Sequence, residues 1–134
     1  MSNDWHVVVL QDGLFVSQAG IVERTVTVAG EPVRLGGIGG VATLPALQKR
    51  GLASIAMKKA ADFMRDSLKV DFGLLLCAAQ TEPFYRKLGW RMVPGPLIVD
   101  QPRGKVTFDG VTMILPCVRQ DWPSGTIDLC GLPW

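Results

Sequence analysis

Apolar and β-branched positions dominate two segments near the start of the chain, Trp5 to Leu10 and Leu14 to Val28, with Gln11-Asp12-Gly13 between them. Two such runs around a turn of that kind predict an antiparallel hairpin. Ala29-Gly30-Glu31-Pro32 turns the chain into a third strand, Val33 to Thr43, interrupted by Gly36-Gly37-Ile38-Gly39-Gly40. Glycines inside a strand permit a bulge or close approach of a ligand to the backbone. After Gly51 the period changes. Leu52, Ile55, Ala56, Phe63 and Met64 recur at helical spacing, while Lys58, Lys59, Asp62, Arg65 and Asp66 fall mainly elsewhere, which predicts an amphipathic helix to about Ser67. Phe72 to Cys77 is apolar without alternation, the pattern of a strand covered on both faces. Strand, helix and strand then form a right-handed parallel crossover. A short helix around Pro83 to Leu88 is expected to end at Gly89. Farther on, Pro94-Gly95-Pro96, Pro102-Arg103-Gly104 and Asp109-Gly110 punctuate two strands, Leu97 to Val99 and Val111 to Leu115, which read as a closing hairpin with a long connection. The stretch from Asp121 to Trp134 has little periodicity but holds two of the four tryptophans, so it is expected to pack.

These elements predict an α/β fold: a mixed, mostly antiparallel sheet with one parallel pair at its centre and helices on its faces. With 134 residues, 48% of them hydrophobic, the chain suits one domain over 1–134, and no internal repeat or linker is visible. Fourteen basic against twelve acidic residues give a net charge of +2, far from the dense basic face of a nucleic-acid binder. No apolar run approaches the roughly 20 residues of a membrane span. Met1-Ser2-Asn3-Asp4 lacks the features of a signal peptide, so the cytoplasm is expected. Cys77, Cys117 and Cys130 are too scattered for a zinc site and too few for a disulfide scaffold, and no metal is expected. Cys77 reads as a small buried hydrophobe. His6, the one histidine, stands in an edge-like strand, where surface exposure or packing outweighs catalysis.

The chemistry concentrates at Gln48-Lys49-Arg50-Gly51-Leu52-Ala53. A basic, glycine-bearing turn between a strand and a helix start offers free first-turn amides, the positive end of the helix dipole and mobile cations, a combination that favours phosphate. The competing reading is a solvated charged turn. Gly37-Ile38-Gly39-x-x-Ala42 superficially fits a dinucleotide fingerprint, but its glycines fall inside a strand and no acidic residue follows at the proper place, so a Rossmann reading is rejected.

The order strand, Gln48-x-x-Gly51-x-Ala53, amphipathic helix, apolar strand, then Phe84-Tyr85-Arg86-Lys87-Leu88-Gly89-Trp90 resembles the GCN5-related N-acetyltransferases (GNAT). The resemblance covers roughly Trp5 to Leu115. The segment Trp122-Pro123-Ser124-Gly125-Thr126-Ile127-Asp128 is most similar to the branch holding aminoglycoside 2-prime N-acetyltransferases and nodulation-type acyltransferases. The resemblance implies a GNAT-like acyl-CoA N-acyltransferase fold with acetyl-CoA as the cosubstrate. It implies that Gln48, Lys49, Arg50, Gly51, Leu52 and Ala53 bind the pyrophosphate, and that Val41, Ala42 and Thr43 pair with the pantetheine arm. A backbone amide there would stabilise the oxyanion that forms when an amine attacks the thioester. Tyr85, the only tyrosine, would donate a proton to the leaving thiolate. Its alternative role is packing on the second helix.

Two departures from the family pattern bear on chemistry. Members usually begin with another strand and two helices that wall the acceptor site, whereas about four residues precede the first strand here. A homodimer that covers the exposed sheet is expected; the alternatives are an acceptor that is large and open to solvent, and a chain that is a remnant or a part of a longer one. At Gly39 the aminoglycoside-acting relatives would place an acidic residue. Glu23, Glu82 or the carboxylate of Trp134, folded back over the site, are the candidates to replace it, and Trp134 is taken as substrate-binding. The expected activity is acetyl transfer from acetyl-CoA to a primary amine of a small molecule by direct attack. The alternatives are transfer of a longer acyl chain from coenzyme A or an acyl carrier protein, and a coenzyme A-binding or dimerisation module without catalysis.

Overall fold

The computed structural model describes residues 4–43, 51–131 and 134. A hairpin of β1 (Trp5–Gln11) and β2 (Leu14–Val28) opens the chain, followed by β3 (Glu31–Thr43). Both turns place two successive residues at positive φ, Asp12 at 52° with Gly13 at 81°, and Ala29 at 51° with Gly30 at 78°. That backbone matches the twist of the flanking strands, which is why Asp-Gly marks the first turn so clearly. Then come α1 (Leu52–Phe63), extended by a π-helical turn at Met64–Leu68, and β4 (Phe72–Cys77). α2 (Glu82–Arg86) and the strands β5 (Arg91–Met92), β6 (Leu97–Gln101), β7 (Gly104–Thr107), β8 (Val111–Pro116) and β9 (Ile127–Asp128) complete the described elements.

These strands form one sheet in the order β5-β8-β4-β3-β2-β9-β6-β7, with β1 also paired to β2. β3 and β4 are the expected parallel pair, in register from Leu35 opposite Phe72 to Ile38 opposite Leu75. A second parallel pair, β6 with β9, was not expected. The predicted closing hairpin of Leu97 to Val99 with Val111 to Leu115 is corrected as well. β6 turns back on β7, while β8 crosses to lie between β4 and β5. Both runs are apolar, and the sequence signal for their partners is only turn chemistry; the tight turn is at Pro102-Arg103-Gly104, where Gly104 adopts φ 118°.

Two apolar clusters hold the sheet. On one face Ala56, Met57, Ala60, Ala61 and Met64 of the α1 segment meet Ala19, Ile21, Ile38, Leu75 and Met113, with Tyr85 and Trp90 in the same cluster. Ile55, expected in the buried stripe, is exposed, because the buried face runs through positions 56, 57, 60, 61 and 64 instead. The other cluster joins Val26, Val28, Leu35, Phe72, Leu74, Leu97, Val99, Ile114, Ile127 and Leu129, so the sheet curls around it. No described helix contributes to that cluster. The tail takes that place: Trp122 packs edge-on against Phe72 at 5.0 Å, and Trp134 joins the same cluster.

Candidate active site

The site begins at a fork. β3 and β4 stay paired only as far as Ile38 and Leu75, yet β3 continues to Thr43. Between Gly39 and Ala42 the register against β2 slips, with Gly20 opposite Gly39 and Gln18 opposite Ala42, and Gly40 takes φ 60°. Such a bulge needs a residue that tolerates positive φ, and it bends the strand that carries it. One edge of the Val41 to Thr43 segment is therefore held by β2, while its other edge has no strand partner among the described residues. Backbone groups alternate in direction along a strand. The Ala42 carbonyl points to β2, where it accepts the Ser17 hydroxyl at 3.0 Å, so Val41 and Thr43 are the two that present amides and carbonyls into the fork.

Tyr85 reaches the mouth of the fork from α2. It is buried in one cluster with Ile38 and Leu75, against which Val41 and Cys77 also pack, and it meets the Phe84 ring at 5.0 Å. Burial, with a smaller contribution from the Cys77 thiol, raises its pKa and keeps the phenol protonated. Cys77 is half-buried at the end of β4, a correction to the buried hydrophobe expected. Burial first and the Glu82 carboxylate second push its thiol up. Glu82 itself is buried and pairs with Arg86 at 3.5 Å. Glu23 belongs elsewhere. It pairs with Arg34 at 2.7 Å, and its partner in register, Gly36, faces Met64 on the α1 side.

Trp134 lies on the opposite face of β3. A Cβ added at Gly37 would fall 2.1 Å from its ring, and one added at Gly39 would fall 3.1 Å from its carboxyl carbon. Residues two apart in a strand share a face, so Gly37 and Gly39 together form a flat seat for the last residue of the chain. Arg24 stacks on the indole at 4.9 Å from the ring centroid. The backbone carbonyl group of Trp134 thus stands beside Gly39. Of this seat, Arg24 escaped the sequence reading, which had the glycine run as a place of close approach and Trp134 folded back towards Gly39.

The turn expected to bind the coenzyme lies only partly among the described residues. Gly51 adopts φ 77° and caps α1, with Leu52 and Ala53 in the first turn, where backbone amides lack intrahelical partners. Gln48, Lys49 and Arg50 lie outside the described residues. Among the described residues no three His, Cys, Asp or Glu side chains converge as metal ligands, and no helix is long and apolar enough to cross a membrane.

Residues 1–93 match the family described as an acetyltransferase (GNAT) domain, and the chain belongs to that family. A GCN5-related N-acetyltransferase from Kribbella flavida is 27% identical with a TM-score of 0.57, over 63% of this chain and 21% of that one. The chain thus spans about a fifth of that protein's length. The GNAT-family protein YhbS from Escherichia coli, solved in complex with CoA, superposes with a TM-score of 0.69 at 14% identity, over 96% of this chain and 68% of that one. A GNAT-family acetyltransferase from Brucella melitensis in complex with acetyl-CoA gives 0.59 at 18% identity, over 94% and 66%. At those identities the last two likenesses concern the fold.

Proposed function

We infer that the chain transfers an acetyl group from acetyl-CoA to a primary amine of a small molecule by direct attack, without a covalent enzyme intermediate. The observation that carries this reading is the fork, in which β3 runs past its last pairing with β4 and offers the backbone of Val41 and Thr43 to an extended ligand. The pantetheine arm would add there as a pseudo-strand, with its pyrophosphate at Gln48, Lys49, Arg50 and the first-turn amides of Gly51, Leu52 and Ala53. An amide in the fork then donates to the thioester oxygen as negative charge develops, a contribution of about 3 kcal/mol in comparable sites. The amine nitrogen bonds to the carbonyl carbon and gives its surplus proton to solvent, the tetrahedral centre collapses, and the carbon–sulfur bond breaks. Tyr85 gives its proton to the departing thiolate, and solvent returns it.

The Trp134 carboxylate takes the role of the missing acidic residue at Gly39. A carboxylate is a weak base. Its contribution is to hold the ammonium form of the acceptor and to pass the proton on through water as the amine is released for attack. This seat also supports the narrower kinship with the aminoglycoside 2-prime N-acetyltransferase branch. The same reading places the protein in the cytoplasm as one domain that works as a homodimer.

Thermal unfolding with and without acetyl-CoA tests the coenzyme site. At about a hundredfold over the dissociation constant, a ligand adds ~2.7 kcal/mol, several degrees for a domain this size. Thiol release on adding an amine then tests transfer. A Tm that does not move with acetyl-CoA would sink the reading, and a shift without thiol release would leave a binding module.

A further inference from the structure

Of the three thiols in the chain, one stands at the fork. β4 continues two residues, about 6.6 Å, past Leu75, its last residue paired with β3, and ends at Cys77. There β8 fixes its backbone, with Val111 opposite. Residues two apart share a face, so the thiol points with Leu75 to the α1 side, against the cluster that holds Tyr85 and on which Val41 also packs. It is half-buried, neither sealed in the core nor free in solvent. Tyr85 is 9% exposed, and its hydroxyl has no hydrogen-bond partner among the described residues. A buried hydroxyl ordinarily has one, so this one is left for a ligand in the fork. The other two thiols lie elsewhere. Cys117 follows β8 at the opposite end of β4, where its amide meets the Asp71 carbonyl at 3.1 Å, and Cys130 is exposed after β9, its Sγ 3.4 Å from the Asp128 carbonyl.

A thioester held in the fork with its sulfur at Tyr85 therefore lies beside a second nucleophile. We propose that Cys77 is an alternative acyl acceptor, which takes the acetyl group from acetyl-CoA by thioester exchange when no amine is present. The assignment rests on the placement of the coenzyme given above. The Cys77 thiol gives its proton to solvent, its sulfur bonds to the carbonyl carbon, and the bond from that carbon to the coenzyme sulfur breaks. Tyr85 protonates the departing thiolate and is reprotonated by solvent, so acetyl-CoA and a thiol become an acetylated Cys77 and free coenzyme A. One thioester replaces another, so the step is reversible and the acetylated fraction follows the ratio of acetyl-CoA to coenzyme A. Burial and the Glu82 carboxylate keep the thiolate scarce, which makes the exchange slow beside attack by an amine. Cys77 is thus no intermediate in transfer. Its acetyl group takes the space of the acetyl group on an incoming acetyl-CoA, so the modified chain admits coenzyme A, which restores it, and is closed to a second acetyl group.

Mass spectrometry of the chain incubated with acetyl-CoA and no amine tests this. One acetyl group is expected, mapped to Cys77, and gained about tenfold or more faster than on the exposed Cys130, because the bound thioester is held beside Cys77 alone. Excess coenzyme A should remove it, and Cys77→Ala should not acquire it. Tyr85→Phe, which keeps the thiol, should slow the labelling about 10²-fold through loss of the proton donor to the leaving group. Solution reactivity alone predicts the reverse order, with Cys130 ahead and Tyr85 irrelevant. Labelling of Cys130 as fast as Cys77, a label that coenzyme A does not remove, or full-rate labelling of Tyr85→Phe overturns the assignment. The acetyl-CoA melt separates the two failures: an unmodified Cys77 in protein that acetyl-CoA still stabilises removes only the exchange, whereas a Tm that does not move removes the coenzyme site with it.

Discussion

Gly37 ties the last residue of the chain to its third strand, and the tie is steric. Alanine there would put a methyl group inside the Trp134 ring, 2.1 Å from the nearest atom. Overpacking of this kind costs about 1–3 kcal/mol unless the intruded group leaves. Gly37→Ala is expected to dislodge the terminal tryptophan and its carboxylate, lowering kcat/KM for the amine by about 10²-fold, as misplacement of a positioning group does. Acetyl-CoA should still raise Tm, since the fork and the α1 start are untouched. Steady-state kinetics and a melt on one sample decide it, and full activity in the variant would deny Trp134 its role. Tyr85→Phe should cost about 10²-fold in kcat, the range of a lost proton donor, with little change in coenzyme affinity. The phenol titrates above its ordinary value because it is buried and near Cys77. The thiols of Cys77 and Cys117 are likewise raised, chiefly by burial. For all three, the folded pKa exceeds the unfolded one, so their stabilisation is complete below the unfolded value and is lost as pH rises through the folded value. Tm should therefore be level near neutrality and decline from about pH 8.5, the ordinary thiol range, upward through that of tyrosine. A Tm that holds to pH 11 would show that these groups are not buried in solution.

At the scale of elements, α1 begins at Gly51, which the sequence already marked as the glycine of a basic helix-start turn. Gly51 sits at φ 77°, and a Cβ there would meet nothing within 4 Å. Strain and space can therefore be separated. Gly51→Ala should lose about 1 kcal/mol of stability to the left-handed conformation, with a modest loss of coenzyme affinity. Gly51→Glu should abolish binding, because it adds a like charge where the pyrophosphate is proposed to sit. Calorimetric titration with coenzyme A distinguishes them, and equal affinities in both variants would remove the phosphate assignment. The hairpin, the parallel crossover and the α1 segment were legible because alternation, continuous apolar runs and helical spacing each report local geometry. The partners of β6 and β8 were not, since two apolar runs of similar length carry no label for which edge they join. The seat of Trp134 was half visible: the glycine run announced a close approach, but the approaching group turned out to be Met64 at Gly36 and the chain's own terminus at Gly37. Ile55 misled because its spacing from Leu52 suits a helix whose buried face is rotated by one position.

The whole molecule exposes an edge of unusual composition. β1 pairs only with β2 among the described residues, and its sequence, Trp5 to Gln11, has no proline, lysine or arginine. Such guards normally keep an edge from pairing with another chain. Across the hairpin tip Leu14 and Phe15 are 65% and 68% exposed, with Val8 and Leu10 exposed beside them. Large apolar side chains clustered at an unguarded edge cost little when covered and leave water favourably, at roughly 25 cal/mol per Å² buried. A second copy of the chain brings the same unpaired edge and the same side chains, and an antiparallel two-fold arrangement satisfies both at once. Light scattering at micromolar concentration should therefore give twice the 14.5 kDa of one chain. Phe15→Glu or Val8→Lys should return the chain to monomer while leaving acetyl-CoA stabilisation in place, because neither residue lies at the fork or the helix start. A monomer mass for the unaltered chain would dispose of the dimer and leave the β1 edge for a different strand to cover.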